Sequence, residues 1–598
     1  MPDFGFIRIA LCPGKLALAC PEKNAVAAVK LVRQAFKAGA QLAVFPELFL
    51  TGYSCGDLFA QPALLSETQK ALETFLKKTA TFELPIIIGA PLLIEGRLYD
   101  CAVVVKLGKI LGVVPNTLPQ EKYFAPGSSE KANLVFKSGE CAFTIGFASE
   151  FFDWRENIAR RAALGETLIV LGALPELAGT EEKLKSALSS RSAIWQGAIA
   201  FVSTGEGESS TDFAFGGRAA VFENGKLLAN LGPFSEEEIL TAEIDAEFLR
   251  RERAARVPEA ASVVEVSLPP IKEPKRVFSP RPFVPEDVEE LKKRTELIFA
   301  IQCAGLKSRL LASKAKRVLI GVSGGLDSTL ALLVASETVK KLGWPDSSVL
   351  GVTMPCFGTT TRTKSNAQKL LKLLGAEARE INIEKAVRQH FLDIEEPSDA
   401  RDAAFENAQA RERTQVLMDL GNRLGGLVVG TGDLSESALG WATYNGDHIS
   451  MYNVNAGLSK TLIRAVVGNI AEKREKLAPV LKDILATPIS PELLPGSQPT
   501  EDLVGPYELH DFFLYHFLRR GAKPEKILFL AEKTFAGRFT KAVIKKWLQV
   551  FLKRFLSQQF KRSCSPDGPA TGSVSLSPRA GLKLPSDAAF EPWKELLD

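Results

Sequence analysis

The stretch VLIGVSGGLDSTLALLVA (318–335) decides how the second half of this 598-residue chain is read. A buried strand, RVLIGV (317–322), runs into Ser323-Gly324-Gly325-Leu326-Asp327-Ser328 and then into an apolar helix. Two adjacent glycines let backbone amides approach an anion without Cβ obstruction. The free N–H groups at the start of the helix, with their partial positive charge, then hold it. Ser323 and Ser328 add hydroxyl donors. The GxxxxGK[ST] spacing of a Walker loop is absent, and so is its Lys. The whole SGGLDS at a strand–helix junction reads as a cradle for the pyrophosphate of ATP. Asp327 stands where a carboxylate can hold Mg²⁺ against phosphates, since hard cations take oxygen ligands. Its plainer role is to complement the helix dipole.

Outward from this loop, further strands are expected at SVLGVTM (348–354) and GLVVGT (426–431), with a helix from Glu286 to about Leu311 ahead of the loop. Strand–helix alternation with short loops predicts a doubly wound, mostly parallel sheet with ligands at the carboxyl ends of its strands. Upstream, PPIKEPKRVFSPRPFVP (269–285) carries six prolines, too many for a helix or central strand, and reads as a linker or a surface strap. The expected organisation is therefore 1–265, a linker at 266–285, a second domain at 286–563, and a Pro/Ser/Gly-rich tail or strap at 564–598. No internal repeat falls at solenoid periods.

In the first half, LAVF (42–45), PIIIG (85–89), CAVVV (101–105), AFTIGF (142–147) and TLIVLG (167–172) are strand-like. They alternate with segments of 3.6-residue apolar periodicity such as AVAAVKLVRQAFKAGA, which predicts an α/β layered domain. The Glu-Asn-Gly-Lys turn inside AFGGRAAVFENGKLLANLG predicts an antiparallel hairpin.

Composition sets the outer limits. Hydrophobic residues make up 46% and charged residues 24%, which excludes a disordered, collagen-like or coiled-coil chain. Lys plus Arg number 74 against 70 Asp plus Glu, a net charge of +4 that gives no support to a nucleic-acid or membrane-surface binder. Eight cysteines without a CxxC pair, and only four histidines, argue against a disulfide framework and against chemistry built on several imidazoles. Reduced, intracellular cysteines are the default. MPDFGFIRIALCPGK lacks the pattern of a secretory signal and reads as a first strand, Phe6 to Leu11. The strongest apolar run, PIIIGAPLLI, falls short of the roughly 20 residues that span a bilayer. A soluble, cytoplasmic protein without nucleic-acid or membrane partners is expected.

The loop resembles that of the PP-loop ATP pyrophosphatases, which split ATP between its α and β phosphates to adenylylate an acceptor. FENAQARER (405–413), VVGTGDLSESALGWATYNGDHISMYNVNAGLSKTL (428–462), TPISPELLPGSQPTEDLVGPYELHDFF (487–513), FKRSCSPDGP (560–569) and SLSPRAG (575–581) then resemble the long, glutamine-dependent NAD synthetase family. The resemblance implies ATP-dependent adenylylation of the nicotinate carboxylate of deamido-NAD, displacement of AMP by ammonia, Mg²⁺ as cofactor, and a homo-oligomer. It places Gly321, Val322, Ser323, Gly324, Gly325, Leu326, Asp327 and Ser328, with Thr431, on ATP. Asn407, Glu436, Trp441, Ala442, Thr443, Tyr444 and Lys561 fall on deamido-NAD. Asp327 and Glu436 are the metal and catalytic carboxylates, Glu436 also suiting the incoming nitrogen. Core packing for Trp441 and a solvated helix end for Lys561 are the plainer alternatives. The family's usual TGNxSE stands here as Thr431-Gly432-Asp433-Leu434-Ser435-Glu436, with Asp for Asn.

The first half resembles the nitrilase (carbon–nitrogen hydrolase) superfamily, through AVFPELFLTGYSCGDLF (43–59), YFAPG (123–127) and STGEGESSTDFAFGGRAAVFENGKLLA (203–229). In this enzyme type such a domain releases ammonia from glutamine with a Glu base, a Lys that stabilises the tetrahedral intermediate, and a Cys nucleophile. Glu47 matches the base. Asn116 stands in the lysine's place, in VVPNTLP, and Ser149 in the cysteine's, in ASEFFD. Lys122 aligns better with a basic residue ahead of the aromatic-x-x-Gly segment, and Cys141 lies at the wrong end of its strand. A serine hydroxyl needs strong base assistance where a thiolate does not. Losing an oxyanion-stabilising group typically costs about 10²–10³ in rate, and losing the nucleophile of a coupled triad on the order of 10⁶. The expectation is an NAD synthetase driven by free ammonia, or by ammonia from a separate glutaminase, with a degenerate first domain serving as a scaffold. The alternatives are a working glutamine-dependent enzyme with an unorthodox nucleophile, and a non-catalytic scaffold or regulator. GMP synthesis or tRNA thiolation is the remaining PP-loop fallback.

Overall fold

A computed structural model of the chain describes residues 4–597 except 121, 154–156, 256–260, 272, 359–360, 398, 489–492, 494–499 and 580. Parts of the 487–513 and 575–581 segments, and position 272 of the proline-rich stretch, therefore lie outside the described residues. The chain forms two compact units, Met1–Arg276 and Val277–Asp598.

The first unit contains β1 (Phe6–Leu11), β2 (Leu42–Val44), β3 (Ile86–Ile94), β4 (Arg97–Lys106), β5 (Lys109–Pro115), β6 (Val135–Ser138) and β7 (Cys141–Phe147). It continues through β8 (Thr167–Gly172), β9 (Ala198–Ser203), β10 (Ala219–Glu223), β11 (Lys226–Leu231), β12 (Leu240–Asp245) and β13 (Val263–Glu265). Two mixed sheets result, ordered β12-β1-β2-β3-β4-β5 and β11-β10-β9-β8-β7-β6-β13. The period-2 alternation of side chains explains why both faces of each sheet are apolar. Ile169 and Leu171 of β8 meet Ile9 and Leu11 of β1 between the sheets. Leu168 and Val170 face outward onto Leu184 and Leu188 of the helix Thr180–Trp195. On the other side, Ala43, Ile86 and Ile88 pack against the helices Pro21–Lys37 and Pro62–Thr79. The unit is a helix–sheet–sheet–helix sandwich. The Asn-Gly turn is present between β10 and β11, with Asn224 (φ 47°) and Gly225 (φ 84°) both left-handed. The proline-rich stretch lies on this unit up to Arg276. Pro269 O accepts from Gln41 Nε2 at 2.7 Å, Ile271 is buried, and Arg276 pairs with Glu223 at 2.6 Å.

The second unit holds β14 (Arg317–Gly321), β15 (Val349–Thr353), β16 (Glu377–Glu380), β17 (Gly426–Gly430) and β18 (Tyr452–Asn453). All are parallel, in the order β16-β15-β14-β17-β18. Val318 and Ile320 face the helices Val288–Ser313, Leu326–Lys341 and Lys460–Lys473. Leu319 and Val352 face Val387 and Leu420 of the helices Glu384–Asp393 and Ala403–Leu424. Helices thus cover both faces. The chain leaves β14 toward β15 on one side and returns to β17 on the other, which makes the β14/β17 carboxyl ends a topological switch point. The C-terminal end from 564 is tied to the same unit. Asp567 O accepts from Asn453 N at 2.7 Å, Thr571 Oγ1 donates to Gly457 O at 2.9 Å, and Val574 and Leu576 are buried. Among the described residues no helix is long and apolar enough to cross a membrane.

Candidate active sites

At the switch point the chain turns sharply after β14. Gly324 is left-handed (φ +83°), and a Cβ there would lie 2.1 Å from Thr363 O, so only glycine lets the loop pass. Ser323 Oγ accepts from Gly325 N at 3.2 Å, and Ser328 Oγ donates to Gly325 O at 3.1 Å. The loop is held open by its own hydroxyls, with the N-terminus of Leu326–Lys341 behind it. A cavity of about 830 Å³ opens from this point.

Of the residues that sequence reasoning placed on ATP, all but Gly324 line this cavity, Thr431 included. Asn407, Glu436, Trp441, Ala442, Thr443 and Lys561 line it as well. Tyr444 does not. It lies exposed beyond the wall, with ring contacts to His448 and Phe560. The wall from Gly440 to Asp447 is stitched in place. Thr443 donates from N to Asp447 Oδ1 (2.7 Å) and from Oγ1 to Asn407 Oδ1 (2.8 Å). Lys561 Nζ donates to Gly440 O and Ala442 O, each at 2.8 Å, which leaves its third N–H uncommitted by these bonds. Arg562, almost fully buried, holds Ser437 O and Ala438 O.

The floor carries a charge cluster that sequence reasoning saw only in part. Lys460 Nζ lies 2.8 Å from Asp327 Oδ2, 2.5 Å from Asp433 Oδ2 and 2.8 Å from Glu436 Oε1. Asp433 caps the helix Leu434–Leu439 by accepting from Glu436 N at 2.8 Å, so its carboxylate is fixed as well as charged. Lys460 opens the helix Lys460–Lys473, and its backbone N–H donates to Ser435 Oγ at 2.8 Å. Buried Asp511 accepts from Ser435 Oγ and from Thr461 N and Oγ1, anchoring that helix start. Asn455 Nδ2 ties Asp327 O (3.0 Å) to Thr431 O (3.2 Å).

Burial pulls Lys460 down, but three carboxylates outweigh it and hold the amine protonated. Burial pushes Glu436 up to about 7 against the pull of Lys460. Asp433 is drawn up by burial and then by Glu436. Ligand oxygens of Asp327, Asp433 and Glu436 lie within 4.8 Å of one another, and Asp327 Oδ1 is buried without a hydrogen-bond partner. Such an oxygen-rich set suits a hard divalent cation.

The first unit brings its expected positions together too. Glu47 follows β2 through Phe45-Pro46 and is buried, with Leu48 left-handed (φ 51°) behind it. Gly89 of β3 makes room for this turn, because a Cβ there would meet Pro46 O at 2.2 Å. Asn116 ends β5. Its Nδ2 donates to Asp100 Oδ2 at 2.8 Å, and its Oδ1 accepts from Ser149 Oγ at 3.3 Å. Ser149 lies in the short helix Ala148–Phe151 after β7, at the far end of that strand from Cys141. Glu150 is clamped by Arg161 at 2.6 and 2.7 Å, both side chains buried. Lys122 is elsewhere, exposed and paired with Asp57 at 3.1 Å.

Asp100, which the sequence did not single out, shares a hydrogen bond with Glu47. Two carboxyl groups can make that bond only if one carries a proton. Accordingly Glu47 is raised well above the usual carboxylate range, by burial first and then by Asp100. Asp100 is raised by burial to about 6, against the Asn116 hydrogen bond.

Residues 298–559 match the NAD synthase family model, and residues 8–139 match that of carbon–nitrogen hydrolases. The glutamine-dependent NAD(+) synthetase of Mycobacterium tuberculosis (strain ATCC 25618 / H37Rv) is 36% identical, over 99% of this chain and 98% of its own length. That of Thermotoga maritima is 31% identical, over 87% of this chain and 90% of its own length. A solved glutamine-dependent NAD(+) synthetase from Cytophaga hutchinsonii is similar at 16% identity and a TM-score of 0.45, over 99% of this chain and 100% of its own.

Proposed function

Because the chain belongs to the glutamine-dependent NAD(+) synthetase family, and is a ligase of that two-domain architecture, we propose that its C-terminal unit converts deamido-NAD to NAD with free ammonia as nitrogen donor. The glycine loop and the helix behind it cradle the pyrophosphate of ATP, with Thr431 at the facing strand end. The stitched wall from Gly440 to Asp447 carries deamido-NAD, with Asn407, Trp441 and Thr443 against it and Lys561 fixing its carbonyls. Asp327 and Glu436 would hold Mg²⁺, which would supply charge neutralisation on the phosphates. Lys460, buried beneath the cavity, acts through Asp327 and Glu436, the two carboxyls of its cluster that line it, by fixing their positions and charge. Glu436, with its carboxyl near neutrality, accepts a proton from the incoming nitrogen as the acyl-adenylate releases AMP.

The observation behind the choice of ammonia is the pair Asn116 and Ser149 at positions where the mechanism needs an amine and a thiolate. A neutral amide cannot neutralise a tetrahedral oxyanion, and the Ser149 hydroxyl donates to Asn116 rather than to Glu47. The first unit is then a scaffold, or the receiving side for ammonia made by a separate glutaminase. A second reading, glutamine as donor, is favoured by the full-length identity to relatives named glutamine-dependent. Pyrophosphate release dependent on both ATP and deamido-NAD, assayed with ammonium and with ammonium-scrubbed glutamine, tests both halves. Turnover with ammonium alone supports the proposal. Efficient turnover with glutamine, abolished by Ser149→Ala, supports the second reading. No pyrophosphate release with either donor removes both.

A further inference from the structure

Asp433 is the residue at which Thr431–Glu436 departs from TGNxSE, and no step of the proposed reaction uses it. It is wholly buried and, like Lys460, does not line the cavity, whereas Asp327 and Glu436 do. The four side chains therefore form two tiers. Behind the floor lies the Asp433–Lys460 pair at 2.5 Å, and on the cavity side stand two carboxyls, each 2.8 Å from the same ammonium.

The oxygens are shared out atom by atom. Asp433 Oδ1 accepts from Glu436 N at 2.8 Å, and its Oδ2 faces Lys460 Nζ. Both oxygens thus meet N–H donors, a setting that fits the ionised acid although burial alone favours the neutral one. Asp327 gives Lys460 its Oδ2 and Glu436 gives its Oε1. Asp327 Oδ1 is left buried without a hydrogen-bond partner. The Tyr507 ring covers Nζ at 5.1 Å.

Three carboxylates and one ammonium carry a net charge of −2, which one divalent cation cancels. With a neutral side chain at position 433 the ammonium would draw on Asp327 and Glu436 alone, and the same ion would meet a net charge of −1. Oxygen-ligand sites tune cation affinity by ligand charge and rigidity, and charges in a buried cluster are poorly screened. An Asn could still cap Glu436 N through its carbonyl oxygen, but it could not balance Lys460.

We propose that Asp433 is a positioning residue of the cavity floor: as the dedicated counter-ion of Lys460, it frees Asp327 and Glu436 to hold a divalent cation. This role rests on the reading of Asp327 and Glu436 as metal ligands.

The test uses the full chain and Mn²⁺ alone, with free Mn²⁺ read by electron paramagnetic resonance and the folding of each variant checked by urea unfolding. Asp433→Asn, which keeps the cap on Glu436 N, should weaken Mn²⁺ binding at least about tenfold. Lys460→Met should tighten it several-fold, even as turnover falls. The double variant restores the charge balance and should return to within about threefold of wild type. A residue that only shaped the floor would instead give a double variant weaker than either single one. Unchanged Mn²⁺ affinity in Asp433→Asn, a Lys460→Met no tighter than wild type, or a double variant no tighter than Asp433→Asn would overturn the proposal. Should Lys460→Met fail to fold, Asp433→Asn decides alone. Wild type that takes up no Mn²⁺ would overturn the proposal together with the metal reading of Asp327 and Glu436. Pyrophosphate release from ATP and deamido-NAD with ammonium decides the synthetase reading separately.

Discussion

Each unit gathers a group of carboxyls, and the two groups differ by one amine. In the second unit Asp327, Asp433 and Glu436 surround Lys460 at 2.5–2.8 Å. In the first, Glu47 and Asp100 meet each other, and Asn116 stands beside them at 2.8 Å from Asp100. A buried cation offsets part of the penalty that burial places on the carboxylates around it. Without one, the acids keep one proton between them and form a hydrogen-bonded pair that carries a single negative charge. The two sites therefore differ in kind: one floor holds a buried amine among three carboxyls, the other a proton-sharing acid pair beside an amide.

The largest effect is expected from removing the amine. Lys460→Met should cost about 10³-fold or more in NAD formation, read by pyrophosphate release. It also leaves buried Asp433 and the half-buried Asp327 and Glu436 without their cation, a loss of about 3–5 kcal/mol of stability by urea unfolding. The reverse operation on the first unit is the complementary test. Asn116→Lys with Ser149→Cys should bring ammonia release from glutamine at least about 10²-fold above background, and neither change alone should, because such groups act as a unit. The pH dependence of the floor comes next. Below about pH 7 Glu436 is protonated and cannot accept a proton, so turnover at constant free ammonia should fall roughly tenfold per pH unit.

A smaller effect belongs to the proton-sharing pair. Asp100 ionises near pH 3.9 in an unfolded chain and is raised to about 6 in the fold. The native state then holds more protons between those values, and this group's support declines as pH rises through them, by at most about 3 kcal/mol. Asp100→Asn should flatten that decline, seen as a gain in melting temperature over wild type at pH 7 that shrinks at pH 4. Smallest of all, Ser149→Ala should change NAD formation from ammonium by less than about twofold.

What could be read from residues alone followed sequence distance. The strand Phe6–Leu11, the 324–325 turn and the Asn224-Gly225 hairpin each announce themselves within a few residues, by apolar runs and by glycine or asparagine where left-handed backbone is required. Positions 47, 116 and 149 were legible through family motifs, and the fold brings 116 and 149 into contact. Lys460 was not legible. Its partner Asp327 is 133 residues away, and a Lys after Ser459 reads locally as the start of a helix. Asp100 was hidden the same way, as one polar residue ahead of an apolar strand. Asp433 was noticed as a departure from a motif, but its cap on Glu436 N and its contact with Lys460 exist only in three dimensions. Asp511 and Arg562 lie within segments that resemble the family, but their hold on backbone that the site depends on is visible only in the fold.

The proposed contrast between a working synthetase unit and a silent first unit is tested most directly by the origin of the amide nitrogen in NAD. The full chain, ATP and deamido-NAD would be given amide-¹⁵N glutamine and unlabelled ammonium together at equal concentration, and the product analysed by mass. Unlabelled NAD is expected, unchanged in Ser149→Ala. ¹⁵N-labelled NAD that disappears in Ser149→Ala would contradict the silence of the first unit.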